Sequence, residues 1–256
     1  INELYVDRFG TLWASSDQGV IFLNRTMFTP LDYPTSIQRT NAMSRAGKSG
    51  IYTAVQNRIF KWSTGNGKPP SSEKLFEVGD KNVWSLAFDD AYVWAGTGNG
   101  NVFRWDGNRL TRYDLKEQAN IQSIQHSVFS LKATKPGNGV WATIQEDVGV
   151  LRINEDGSID HYGNDSGLDY DVLTFNYDDA GTFYVAGRGK HLPISRFNPE
   201  TQQFTRLKVS NSSDFDIGNI LVHDFSFGSD DQIYMATDHG ILEYKPASSG
   251  GGLLER

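Results

Sequence analysis

No cysteine occurs in this 256-residue chain. Disulfides, thiol nucleophiles and cysteine-ligated metals are therefore excluded, and the redox compartment stays open. No apolar run approaches the roughly 18 residues that a membrane-spanning helix needs, and no signal peptide is visible. Positive charge is in deficit: 24 Lys and Arg stand against 31 Asp and Glu, a formal net charge of −7. Nucleic acid and anionic membranes both reward clustered cations, so neither is expected as a partner. The Gly-x-Ser-x-Gly elbow, the Walker loop, the kinase signature and His-Glu-x-x-His are all missing. No catalytic residue, metal site or cofactor is expected.

Aromatic residues and turns are what the chain has in plenty. Fifteen Phe, eleven Tyr and six Trp stand beside 26 Gly. Aromatic and β-branched side chains fit a pleated, half-buried surface, so aromatic runs punctuated by glycine indicate a β protein. With 38% hydrophobic residues the chain can build a core, which excludes bulk disorder.

One pattern recurs along the whole length, an aromatic residue followed by three small or β-branched ones. It reads Trp13-Ala-Ser-Ser, Tyr52-Thr-Ala-Val, Trp94-Ala-Gly-Thr, Trp141-Ala-Thr-Ile, Tyr184-Val-Ala-Gly and Tyr234-Met-Ala-Thr. The intervals of 39, 42, 47, 43 and 50 residues suit one four-stranded propeller blade. Upstream of the aromatic lies an alternating strand, clearest as Val83-Trp-Ser-Leu-Ala-Phe-Asp89 and Val172-Leu-Thr-Phe-Asn-Tyr-Asp178. Downstream lies another, such as Asn101-Val-Phe-Arg-Trp105, and a weaker fourth strand often closes the unit, as in Leu110-Thr-Arg-Tyr113. Four short alternating strands joined by Gly, Asp or Asn turns make a meander. A lone blade cannot bury both faces, so several must stack around an axis. The expected fold is all-β: a propeller of about six visible four-stranded blades over residues 1–246, alone or within a larger, seven-bladed or double propeller. Residues 247–256 read as a linker-like tail. The sixth unit takes its outer strand either from Leu253-Leu254 or from a segment not present. The start at Ile1 adds the expectation of a piece of a longer protein.

The stretch Asp7-Arg-Phe-Gly-Thr-Leu-Trp13-Ala-Ser-Ser-Asp-Gln-Gly19-Val resembles the bacterial two-component-regulator propeller repeat. Asp89 to Phe103 and Asp231 to Tyr244 resemble further copies. The resemblance implies the extracytoplasmic, ligand-sensing region of a histidine kinase, a hybrid two-component protein or a diguanylate cyclase. It implies a periplasmic or extracytoplasmic domain, tethered to the inner membrane in the full-length protein but without direct membrane contact of its own. A small-molecule or oligosaccharide ligand is the implied partner, with homodimerisation through the full receptor. Two other classes stay open. A carbohydrate-active lyase or hydrolase needs paired carboxylates near Asp171, Asp224 or Glu146, about 5–10 Å apart. An interaction scaffold needs an exposed apolar patch.

Ligands of propellers commonly bind where blade loops surround the channel. Two loop sets share that face: those between second and third strands, and those preceding each inner strand. The basic run Gly187-Arg188-Gly-Lys190-His191-Leu-Pro193 stands first among site candidates. Three basic-capable groups in four residues suit a carboxylate or other anion. Glycine on either side of Arg188 lets the backbone approach a ligand. Asp171, His126 and His239 lie in corresponding loops. Trp84 is expected in the core, because alternation groups it with Leu86 and Phe88; exposed, it would stack on a sugar ring. Trp62 and Trp105 are expected in packing between blades. Asp214-Phe-Asp216-Ile-Gly218-Asn219 alternates oxygen donors but lacks the rest of a calcium loop, and reads as a connector.

Overall fold

The computed structural model describes residues 3–6, 11–17, 19–24, 27–31, 39–46, 50–65, 68–119, 127–133, 139–144, 149–210, 219–246 and 251–255. Its sheets are antiparallel meanders. The first joins β1 (Glu3–Val6), β2 (Leu12–Ser16), β3 (Gly19–Asn24) and β4 (Met27–Leu31) in chain order. The second joins β5 (Ala42–Arg45), β6 (Gly50–Val55), β7 (Arg58–Gly65) and β8 (Lys68–Glu77). The third holds β9 (Val83–Phe88), β10 (Val93–Thr97), β11 (Asn101–Trp105) and β12 (Leu110–Asp114). The fourth holds β13 (Val128–Ala133), β14 (Val140–Ile144), β15 (Val150–Ile153) and β16 (Ile159–Tyr162).

The remaining strands form one eight-stranded sheet. They are β17 (Asp171–Tyr177), β18 (Phe183–Lys190), β19 (Ile194–Asn198), β20 (Gln203–Arg206), β21 (Asn219–Phe227), β22 (Ile233–Thr237), β23 (Gly240–Pro246) and β24 (Gly252–Glu255). Six separate sheets are thus not what is seen. The reason is the length of β18, eight residues where β10 and β14 have five. Its extra residues find backbone partners on β21, where Arg188, Gly189 and Lys190 pair with Leu221, Ile220 and Asn219. The tail also departs from expectation. Leu253 and Leu254 pair with Lys245 and Tyr244, and Leu254 is buried, so this pair supplies the outer strand within the supposed linker. By its contacts the chain divides into two compact units, Ile1–Ala142 with Arg152–Ile159, and Thr143–Leu151 with Asp160–Arg256.

In the first unit β6 and β10 are buried at every residue, so both faces of their sheets are covered. Asp89 shows why the repeat carries an acidic residue. Its Oδ1 accepts the N–H groups of Ala91 and Tyr92 at 3.0 and 2.6 Å, which closes the turn before β10. In the second unit Asp178 accepts the Thr182 N–H at 2.7 Å in the same way. Neighbouring meanders meet through the repeat aromatic: Tyr52 packs on Phe88 of β9 at 5.2 Å, and Tyr184 on Phe227 of β21 at 5.0 Å. Trp62 is buried and Trp105 lies 5.2 Å from Phe76 of β8, which is the expected packing between meanders.

Three inner strands carry a bulge at one equivalent place. Ser85 and Val83 face Gly96 and Thr97, which leaves Trp84 as the extra residue. Leu173 is skipped between Val172 and Thr174, and His223 between Val222 and Asp224. A bulge flips the alternation and re-aims the inserted side chain. Trp84 is accordingly 38% exposed, which corrects its expected place in the core beside Leu86.

Candidate functional site

In the second unit an open groove of about 670 Å³ is lined by Asp169, Tyr170, Asp171, Arg188, Gly189, Lys190, His191, Arg206 and Asn219. The segment preceding β17, the end of β18 and the start of β21 converge on it. The basic run is strand as far as Lys190 rather than a loop, and the chain turns at His191 with φ 61°. Glycine is required beside Arg188: a Cβ on Gly187 would lie 1.8 Å from the Asp171 carbonyl oxygen, and one on Gly189 would lie 2.7 Å from the Tyr170 Cβ.

Arg188, Lys190 and His191 are exposed, and none makes an ion pair among the described residues. Arg206 is fixed instead. It pairs with Asp169, donates to the Lys190 carbonyl at 3.4 Å and lies over the Tyr170 ring at 5.0 Å. Tyr170 is buried and donates to the Val185 carbonyl at 3.1 Å; burial pushes its phenol pKa well up, so it stays protonated. The groove therefore offers exposed cations beside a floor held by the contacts of Arg206 and Tyr170, a suitable cradle for an anionic group.

In the first unit, Trp84 lines a separate groove of about 370 Å³ with Glu3, Arg39, Asn41, Ala42, Ser85, Leu86, Phe129, Ser130 and Leu131. Phe129 is exposed, and Arg39 lies 5.8 Å from the Trp84 ring while pairing with Asp17 at 3.2 Å. Glu3 accepts the Met43 N–H at 2.6 Å. A third cavity, about 400 Å³, contains Asp80, Asn99, Asn101, Arg112 and Asp114. Asp80 is held there by the Thr97 hydroxyl at 3.1 Å, the Lys81 N–H at 2.7 Å, and the Asn99 and Asn101 amides.

Of the residues expected at a site, Arg188, Lys190, His191 and Asp171 come together in the large groove. Trp84 lines another. His239 is placed elsewhere, in the β22–β23 turn, its N–H donating to the Thr237 hydroxyl at 3.1 Å. Asp224 accepts from Thr174 at 3.3 Å and does not line the groove. His126, Glu146 and residues 214–218 lie outside the described residues. Sequence reasoning missed Arg206, whose only signal was the alternation of Phe204-Thr-Arg206 on an outer strand. It also missed Arg39 and Phe129. Among the described residues no cluster of His, Asp or Glu is placed to hold a metal ion, and no helix is long and apolar enough to cross a membrane.

No protein-family model and no curated protein sequence matches the chain. Solved structures match it by fold. The extracellular domain assigned to the hybrid two component system BT4673 of B. thetaiotaomicron aligns with a TM-score of 0.72 at 14% identity, over 100% of this chain and 32% of that one. That of BT3049 from the same organism gives 0.67 at 16% identity, over 94% and 33%. Virginiamycin B lyase from Staphylococcus aureus gives 0.69 at 13% identity, over 98% and 82%. The chain spans about a third of the length of the first two. One fold thus serves receptor domains and a lyase. This chain has the β-propeller fold of the extracellular domains of hybrid two-component systems, the group whose repeat its sequence resembles.

Proposed function

We propose that the chain is the ligand-sensing propeller of an extracytoplasmic bacterial receptor of sensor-kinase type. In this reading each meander is one blade, and the eight-stranded sheet counts as two joined by β18 and β21. The ligand is a small molecule or oligosaccharide carrying an anionic group. The observation that carries the reading is the convergence of Arg188, Lys190, His191 and Arg206 on one groove of an otherwise acidic chain. Because the groove takes residues from both halves of the eight-stranded sheet, a ligand there biases how those halves pack. It shifts signalling by its differential affinity for the two arrangements. The chain is assigned binding and no reaction; within the groove Asp169 is paired with Arg206. Membrane tethering, homodimerisation and output belong to the rest of the receptor.

Thermal unfolding with carboxylated or sulfated oligosaccharides, small organic acids and their neutral counterparts tests this. The expected result is stabilisation by anionic compounds alone, following the mass-action relation for a ligand that binds only the folded state. Stabilisation by none of them, or equally by the neutral set, removes the assignment.

A further inference from the structure

The Trp84 groove lies within the first unit and shares no residue with the Arg188 groove. Its aromatic rings are set apart from most others in the chain. Trp13, Trp62, Trp94 and Trp141 are at most 3% exposed, whereas Trp84 is 38% and Phe129 55% exposed. Both exposed rings follow the valine that opens an inner strand, in Val83-Trp84-Ser-Leu86 and Val128-Phe129-Ser-Leu131. The Ser85 hydroxyl donates to the Val128 carbonyl at 2.8 Å, one residue from each ring. The two rings therefore stand level on neighbouring strands, above the buried Leu86 and Leu131. Trp84 is also held at its edge, since a Cβ on Gly98 would lie 3.1 Å from its Nε1. A ring that is exposed and already ordered meets a ligand at little entropic cost.

Two opposite charges border these rings. Arg39 lies 5.8 Å from the Trp84 ring centre. Its pair with Asp17 joins two exposed side chains, a weak arrangement that leaves a guanidinium with five N–H donors able to serve a second acceptor. Glu3 is exposed as well, and its Oε2 accepts the Met43 N–H at 2.6 Å, a neutral donor that orients the carboxylate. Such a groove selects by charge. A plain anion is attracted by Arg39 and repelled by Glu3, and a plain cation meets the reverse. A neutral ring suits the aromatic floor but brings no countercharge to either side chain. An apolar body carrying both an ammonium and a carboxylate satisfies all three. The volume of about 370 Å³ suits one compact ligand.

We infer that the groove of Trp84, Phe129, Arg39 and Glu3 is a second ligand site, for a free amino acid with an aromatic or large apolar side chain. That side chain lies on Trp84 and Phe129, Arg39 takes the carboxylate, and Glu3 takes the ammonium. The site is independent of the anion groove.

Calorimetric titration of the unaltered chain tests this with L-phenylalanine, its amide, its N-acetyl derivative and methyl glucoside. Titrations at about pH 6 keep the amino group of the amide charged. The amide lacks the carboxylate and the N-acetyl derivative lacks the ammonium, so each is expected to bind about tenfold or more weakly than phenylalanine. Methyl glucoside is expected to show no saturation. Arg39→Gln should bring phenylalanine down to the level of its amide and leave the amide as it was. Glu3→Gln, which keeps an acceptor for Met43, should bring it down to the level of the N-acetyl derivative. Trp84→Ala should weaken phenylalanine and Arg188→Ala should not, which separates this site from the anion groove. The proposal is overturned by an absence of saturable phenylalanine binding, by blocked derivatives that bind as well as phenylalanine, or by tighter binding of the glucoside. A loss with Arg188→Ala and none with Trp84→Ala overturns it too, because the binding then belongs to the other groove.

Discussion

The indole Nε1 of Trp94 donates to Asp89 Oδ2 at 3.1 Å, five residues upstream, with both side chains buried. One carboxylate thereby ties turn, strand and repeat aromatic together. Asp89→Ala leaves three donors without their acceptor. It is expected to lower stability by about 2–4 kcal/mol, read from urea unfolding; a loss under about 0.5 kcal/mol would show that the turn is held by something else.

Two tryptophans ten residues apart should respond in opposite ways. Trp94→Ala empties a core position and is expected to cost about 3–5 kcal/mol. Trp84→Ala removes a bulged, partly exposed ring and should cost about 1 kcal/mol or less. Equal losses would contradict the register assigned to β9.

Gly187 faces the Asp171 carbonyl across the β17–β18 pair. Gly187→Ala forces these strands apart and should cost about 1–3 kcal/mol. Anion binding should weaken with it, since Asp171 and Arg188 flank the same groove. A variant as stable as the parent would refute the close approach.

Arg188 and Arg206 separate binding from folding. Arg188→Ala is expected to weaken an anionic ligand about tenfold with no change in melting temperature, because the side chain is exposed. Arg206→Ala should lower both, since it also releases Asp169 and uncovers Tyr170. Calorimetric titration beside thermal unfolding distinguishes the two, and a Tm loss in Arg188→Ala would place that residue in the scaffold.

Asp80 gives a pH signature. Burial disfavours its charge, but donation by Asn101, the Lys81 N–H, Thr97 and Asn99 outweighs burial and holds its pKa below the ordinary 3.8. A depressed folded pKa means that the unfolded chain binds the proton more readily. The stabilisation is therefore complete above the unfolded pKa and is lost as pH falls below 3.8 through the folded value. Urea midpoints taken downward from about pH 5 should fall more steeply for the parent than for Asp80→Asn. Parallel curves would count against it.

The repeat was readable because its period rests on local chemistry: an acidic turn residue, an aromatic and small residues in one strand. Arg188, Lys190, His191 and Asp171 were readable as a group because they mark the shared end of two strands that are consecutive in sequence, where Asp171 pairs with Arg188. Pairing between distant strands was not. Nothing local in Asn219-Ile-Leu221 announces that it will pair with β18. Trp84 was misplaced because alternation assumes an unbroken register, and a bulge gives no sign of itself in a run of β-formers. At the tail, Ser-Ser-Gly-Gly-Gly outweighed the two leucines that follow it.

The recurrent bulge has a consequence for how such a chain can change. The skipped residue stands outside the ladder, so its replacement leaves the pairing on either side as it was. Three inner strands already hold an indole, an isobutyl group and an imidazole there, at Trp84, Leu173 and His223. Variation at these points is uncoupled from the core. One scaffold can trade its chemical preferences strand by strand while its architecture stays untouched.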